Sequence, residues 1–90
     1  MTIKFSTNAR VDLQKIKKKD VLLYRRVEKQ ITLFIQNPKH PSLRIHKLTG
    51  KLNNSWSLSV TKSHRVVYVF LERNVMYVVG IGKHDQVYKK

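Results

Sequence analysis

The spacing of apolar residues changes twice along this chain, from two to three-or-four and back to two, which restricts it to a mixed fold. Thr2-Ile3-Lys4-Phe5 alternates polar with apolar and predicts a short first strand. Ser6, Thr7 or Asn8 then offers a side-chain oxygen to the free amides of a helix start. That helix carries Val11, Leu13 and Ile16 as its inward stripe and ends near Lys19-Asp20. A second helix runs from about Asp20 to Gln36, with Leu23, Val27, Ile31, Phe34 and Ile35 recurring at three to four residues. Asn37-Pro38 stops it, because proline disfavours helical backbone at the residue before it. Residues 38–54 form a basic connection holding both prolines and Gly50, with Leu43, Ile45, Leu48 and Leu52 expected to anchor it to the core.

From Trp56 the period is two. Trp56, Leu58 and Val60 alternate with Ser57 and Ser59, as in a strand with one covered and one open face. Arg65–Leu71 and Val75–Ile81 are apolar at nearly every position, the pattern of central strands covered on both sides. Glu72-Arg73-Asn74 connects them tightly, Asn74 being tolerant of left-handed backbone. The predicted order is β-α-α-β-β-β, an α+β architecture with two helices on one face of a small, largely antiparallel four-stranded sheet. Ninety residues are expected to make one domain, residues 1–90, with a single modest core.

Nineteen Lys and Arg face five acids, a formal charge of +14 that works against compaction and implies an anionic companion. The charge is not a detachable arm: eleven basic against three acidic residues precede residue 46, and eight against two follow. No cysteine is present, which excludes a disulfide scaffold, a CxxC zinc site and a thiolate nucleophile. Four histidines without an HExxH pattern and with few carboxylates make a catalytic metal an unfavoured expectation, and no cofactor is anticipated. The start lacks an apolar signal segment and no apolar run nears the ~20 residues of a membrane helix, so the expectation is a cytoplasmic protein without membrane association.

Strand parity singles out one arginine. If Val66, Tyr68 and Phe70 pack under the helices, Arg65 points to the opposite face, which Ser57 and Ser59 are expected to share. From the residues alone Arg65 is either a solvated strand-end charge or a holder of phosphate. His40 and His64 lie in polar surroundings; His46 and His84 lie among cations, where an imidazole can serve acid–base chemistry or simply face solvent. Gly80-Ile81-Gly82 lacks the helix and lysine of a nucleotide loop and marks a bulge or close backbone approach. Tyr88 has three readings: core cap, base-stacking platform or phenolic acid–base group.

Leu43-Arg-Ile-His-Lys-Leu-Thr-Gly-Lys-Leu52, Trp56-Ser-Leu-Ser-Val60, His64-Arg-Val-Val-Tyr68 and Val79-Gly-Ile-Gly-Lys-His-Asp-Gln-Val-Tyr88 together resemble the RelE/ParE toxin superfamily. The likeness is nearest to RelE- and YafQ-like messenger-RNA interferases of type II toxin–antitoxin systems, and it spans nearly the whole chain. It implies metal-free RNA cleavage in which a 2′-hydroxyl attacks the adjacent phosphate and the 5′-hydroxyl leaves. It implies catalytic roles for Arg65 at the phosphate, His84 as the imidazole after Gly-Lys, Tyr88 as base or stacking ring, and His46. RNA contacts are expected from Lys47, Lys51, Lys62, Lys83, Ser57, Ser59 and Asp85. The implied partners are messenger RNA, the ribosome and a cognate antitoxin, with the toxin alone monomeric and a higher-order complex formed with the antitoxin.

The chain departs from the resembled pattern where RelE-like toxins carry two strand lysines and this sequence has Ser57 and Ser59. Serine donates a hydrogen bond but brings no charge. Two further readings therefore stand beside the interferase: a ParE-like DNA gyrase poison on the same scaffold, and a catalytically weakened nucleic-acid-binding relative.

Overall fold

The structure is a computed structural model, and it describes residues 1–48 and 54–83. Strand β1 (Thr2–Phe5) leads into helices α1 (Thr7–Lys19) and α2 (Val21–Gln36); a 3-10 turn (Pro41–Leu43) and β2 (His46–Lys47) follow, then β3 (Trp56–Ser59), β4 (His64–Glu72) and β5 (Val75–Lys83). The sheet order is β1-β5-β4-β3-β2, with β1 parallel to β5 and every other pair antiparallel. The α+β expectation holds with one strand more. Two residues of the basic connection pair with β3, too short a run to show a period of its own. No helix among the described residues is long and apolar enough to cross a membrane.

Two side chains set the helical hairpin. Ser6 caps α1: its Oγ accepts from the Ala9 amide at 3.0 Å and donates to the Val79 carbonyl at 3.1 Å, tying the helix start to β5. Asp20 closes one helix and opens the next. Its amide donates to the Ile16 carbonyl at 2.8 Å, and its carboxylate accepts from the Leu23 amide at 3.0 Å. Lys17, Lys18 and Lys19 occupy the last turn of α1, where the helix dipole favours cations.

The helical stripes differ from the expected ones by a small rotation. In α1 the buried residue is Ala9, with Leu13 and Ile16 packed beside the core, while Val11 is 44% exposed. In α2 Leu23, Val27, Gln30 and Phe34 are buried, whereas Ile35 is 43% exposed. A buried glutamine enters the stripe because its amide has partners: Nε2 donates to the Ser59 carbonyl at 2.9 Å and to the Ser42 carbonyl at 3.4 Å. Under the helices lie Leu58, Val66, Tyr68, Met76, Val78 and Ile81, joined by Leu43 from the 3-10 turn.

Phe34, Tyr68 and Phe70 form a ring cluster, with centroids 5.3 Å apart for Phe34–Tyr68 and 5.7 Å for Tyr68–Phe70. Burial pushes the Tyr68 phenol well above its ordinary 10.0. Its folded value is raised, so its contribution is complete below pH 10 and is lost as pH rises beyond that. Tyr68→Phe removes the ionisable group and keeps the ring. Its urea midpoint is expected to match the wild type near pH 8 and to fall less steeply above pH 10.

A bulge sets the register of β4 on β5. Val67 pairs with Gly80 but Tyr68 pairs with Val78, leaving Val79 as the extra residue. Met76, Val78 and Ile81 thus all face the helices although the last two are three residues apart. Of the two readings of Gly80-Ile81-Gly82, a bulge or a close backbone approach, the bulge lies next to the stretch, at Val79. The Arg73-Asn74 turn needs no left-handed asparagine: among the described non-glycine residues, positive φ occurs at Arg44 (42°) and Asn54 (72°). Leu48, Val67 and Val79 pack together on the sheet face away from the helices.

Candidate functional site

The face of the sheet opposite the helices carries the residues with chemistry. Along β4, Val66 and Tyr68 are buried under the helices, which turns Arg65 and Val67 to the other side. Arg65 stands across from Ser59 on β3 and Gly82 on β5; Val67 stands across from Ser57 and Gly80. Ser57 is in turn opposite His46 of β2. Two adjacent rows result, one holding Ser59, Arg65 and Gly82, the other His46, Ser57, Val67 and Gly80.

Arg65 is half-buried and directed by the chain before β2. Its Nη1 donates to the Arg44 carbonyl at 3.3 Å. Arg44 ends the 3-10 turn in left-handed backbone, φ 42° and ψ 58°, a conformation that costs a non-glycine residue roughly 1–2 kcal/mol. The sequence reading missed Arg44, because an arginine carries no signal for left-handed backbone. Among the described residues this is the side chain's one hydrogen bond, and the fork's other N–H groups have the geometry to meet an anion. The β5 positions paired with Arg65 and Val67 are both glycines, and the bulged Val79 of the same strand packs against Val67.

His46 is exposed on the same face. It lies two strands and about two residues from Arg65, roughly 10 Å across and 7 Å along the sheet.

Several expected contacts fall elsewhere. Ser57 is 0% exposed and Ser59 8%, so neither forms the open surface anticipated for RNA. Ser59 Oγ donates to the Thr61 carbonyl at 3.0 Å. Lys47 alternates away from His46: it pairs with Trp56, and its Nζ lies 5.8 Å from the indole centroid, on the helix side. Lys83 pairs with His64 and shares the parity of buried Ile81, again opposite Arg65. Lys62 is exposed in the β3–β4 turn. His64 Nδ1 lies 3.1 Å from both Thr61 Oγ1 and Ser63 Oγ, and His40 Nδ1 accepts from the Ser42 amide at 3.1 Å, so both rings shape local turns. His84, Asp85, Tyr88 and Lys51 lie outside the described residues.

The fold is shared with solved toxins. A YoeB/ParE toxin from Agrobacterium tumefaciens superposes with a TM-score of 0.82 at 19% identity, covering 93% of this chain and 99% of that one. YafQ from E. coli strain BL21(DE3) gives 0.77 at 19% identity, covering 93% of each chain. YoeB in the heterotetrameric YoeB–YefM toxin–antitoxin complex from Staphylococcus aureus gives 0.78 at 20%, covering 93% of this chain and 97% of that one. No protein of curated description matches the sequence significantly. The family model described as the ParE toxin of the type II toxin–antitoxin system parDE matches residues 3–88, nearly the whole length over which the strands and helices were traced. The chain belongs to this family of type II toxin–antitoxin toxins, within the RelE/ParE superfamily.

Proposed function

We propose that this toxin is an endoribonuclease that cuts messenger RNA on the ribosome in the cytoplasm, without a metal, and is restrained by a cognate antitoxin. The observation that carries the reading is Arg65, a half-buried guanidinium held by the Arg44 carbonyl on the sheet face opposite the helices, across from Gly82. Attack of a 2′-hydroxyl on its own phosphate builds negative charge on the phosphoryl oxygens. A pre-positioned fork of N–H donors stabilises that charge more than it stabilises the ground state. His46 is an exposed group on this face able to move a proton. His84 and Tyr88 complete the proposed acid–base set, as the superfamily resemblance implies, with Asp85, Lys51 and Lys62 as further RNA contacts. The buried serines of β3 bring no charge, so positioning by the ribosome supplies much of the orientation.

A second reading, poisoning of DNA gyrase, is favoured by the ParE family match and by the absence of lysine at positions 57 and 59. One experiment separates the two. Purified toxin is incubated with a defined mRNA, free and in programmed ribosomes, and in parallel with gyrase and supercoiled DNA. The ribonuclease reading expects cut RNA and no accumulation of gyrase–DNA cleavage complexes. Intact RNA with accumulated cleavage complexes overturns it.

A further inference from the structure

The flank of α2 that faces the 3-10 turn carries a groove of about 590 Å³, within the ordinary range for ligand sites. Arg26 and Lys29, three residues apart and therefore neighbours on one helix face, line one wall. His40 lines the other, and Leu33 and Val60 contribute the apolar part. The floor is rigid because Gln30 is buried and its Nε2 is held by the Ser59 and Ser42 carbonyls. His40 Nδ1 accepts the Ser42 amide, which leaves Nε2 as the donor of the neutral ring.

The charges on α2 are segregated by flank. Glu28, its one acid, lines the apolar groove on the opposite side, between the helices and β1. No acid lines the groove of Arg26 and Lys29, and neither cation has an acidic partner among the described residues. Two cations and an N–H donor around a fixed, polar floor make a site for a phosphate group. The groove also adjoins the Arg65 face. Ser42 borders it, and Arg44, two residues further along, holds Arg65, so one turn links the groove to the Arg65 side of the sheet.

We propose that this groove is a second phosphate subsite, which holds the backbone of the same RNA strand a few nucleotides from the phosphate at Arg65. The proposal rests on the ribonuclease reading for the identity of the strand. It explains why Arg26 and Lys29 line a groove beside Arg65's face: they lengthen the track along which the substrate is held.

The test measures binding of fully 2′-O-methylated oligonucleotides, which cannot be cut, by fluorescence anisotropy between 50 and 200 mM salt. Wild type is compared with the Arg26→Gln/Lys29→Gln double variant on a trimer and a dodecamer. The trimer is expected to bind both proteins equally, which also shows that the variant is folded. The dodecamer is expected to lose on the order of tenfold in affinity, with the salt slope shallower by about 1.4, since each single-strand phosphate contact contributes ~0.7. Equal dodecamer affinities and slopes overturn the proposal, as does failure of the wild type to bind either oligonucleotide. Unchanged RNA binding with lost binding to a polyglutamate peptide assigns the groove to an acidic protein segment instead. Groove-dependent dodecamer binding by a wild type that cuts no unmodified RNA keeps the subsite and discards the ribonuclease reading.

Discussion

Replacing Arg65 with alanine is expected to lower RNA cleavage by about 10²–10³-fold, the scale seen when one pre-positioned donor to a developing anion is removed. The fold should persist. The hydrogen bond that the change deletes runs to the Arg44 carbonyl, and a net loss of about 1 kcal/mol leaves a protein of ordinary stability folded. Arg65→Lys separates charge from geometry. Lysine restores the positive charge but not the planar fork, so it should recover only part of the activity. Single-turnover rates on a ribosome-bound message, with circular dichroism of each variant, make the measurement. Cleavage by Arg65→Ala at the wild-type rate contradicts the assignment.

The second large effect concerns stability. Phe34 is 3% exposed and packs edge-on against Tyr68 and in a stacked arrangement with Phe70 at 6.4 Å, so Phe34→Ala is expected to cost about 3–5 kcal/mol. At about 4–8 °C per kcal/mol for a domain of this size, the melting temperature should drop by roughly 12–40 °C. Ile35, the next residue, is 43% exposed, and Ile35→Ala should cost under about 1 kcal/mol. Equal shifts for the two variants contradict the placement of α2.

That pair of neighbours shows what the sequence conveys and what it does not. Periodicity located both helices and both long strands, because the three-to-four-residue apolar repeat of α2 and the dense runs of β4 and β5 leave few alternatives. It could not say which of Phe34 and Ile35 turns inward, since both lie within the apolar arc of a helix and only the packed sheet decides. It also gave no warning of Gln30, whose burial depends on two carbonyls, Ser42 and Ser59, brought beside it by the fold. The parity of Arg65 followed once Val66, Tyr68 and Phe70 were placed under the helices, because strand residues alternate between faces. The parity of Ser57 and Ser59 was legible too, but not their burial, because period reports which residues share a face and not what covers it. Lys47 was misplaced for another reason. A strand of two residues has no period, so the pairing with Trp56 that sends it to the helix side appears only in the sheet. The parallel pairing of β1 with β5 is likewise a property of the assembled topology.

The central claim is that a 2′-hydroxyl, gathered with its phosphate beneath Arg65, does the cutting. It is tested most directly with an mRNA that carries one 2′-deoxynucleotide at the mapped cleavage position, in programmed ribosomes with wild-type toxin. The account predicts that the unmodified message is cut to leave a 2′,3′-cyclic phosphate, and that the single deoxy substitution abolishes cutting at that position alone. Cleavage of the deoxy-substituted message at the same bond would contradict it.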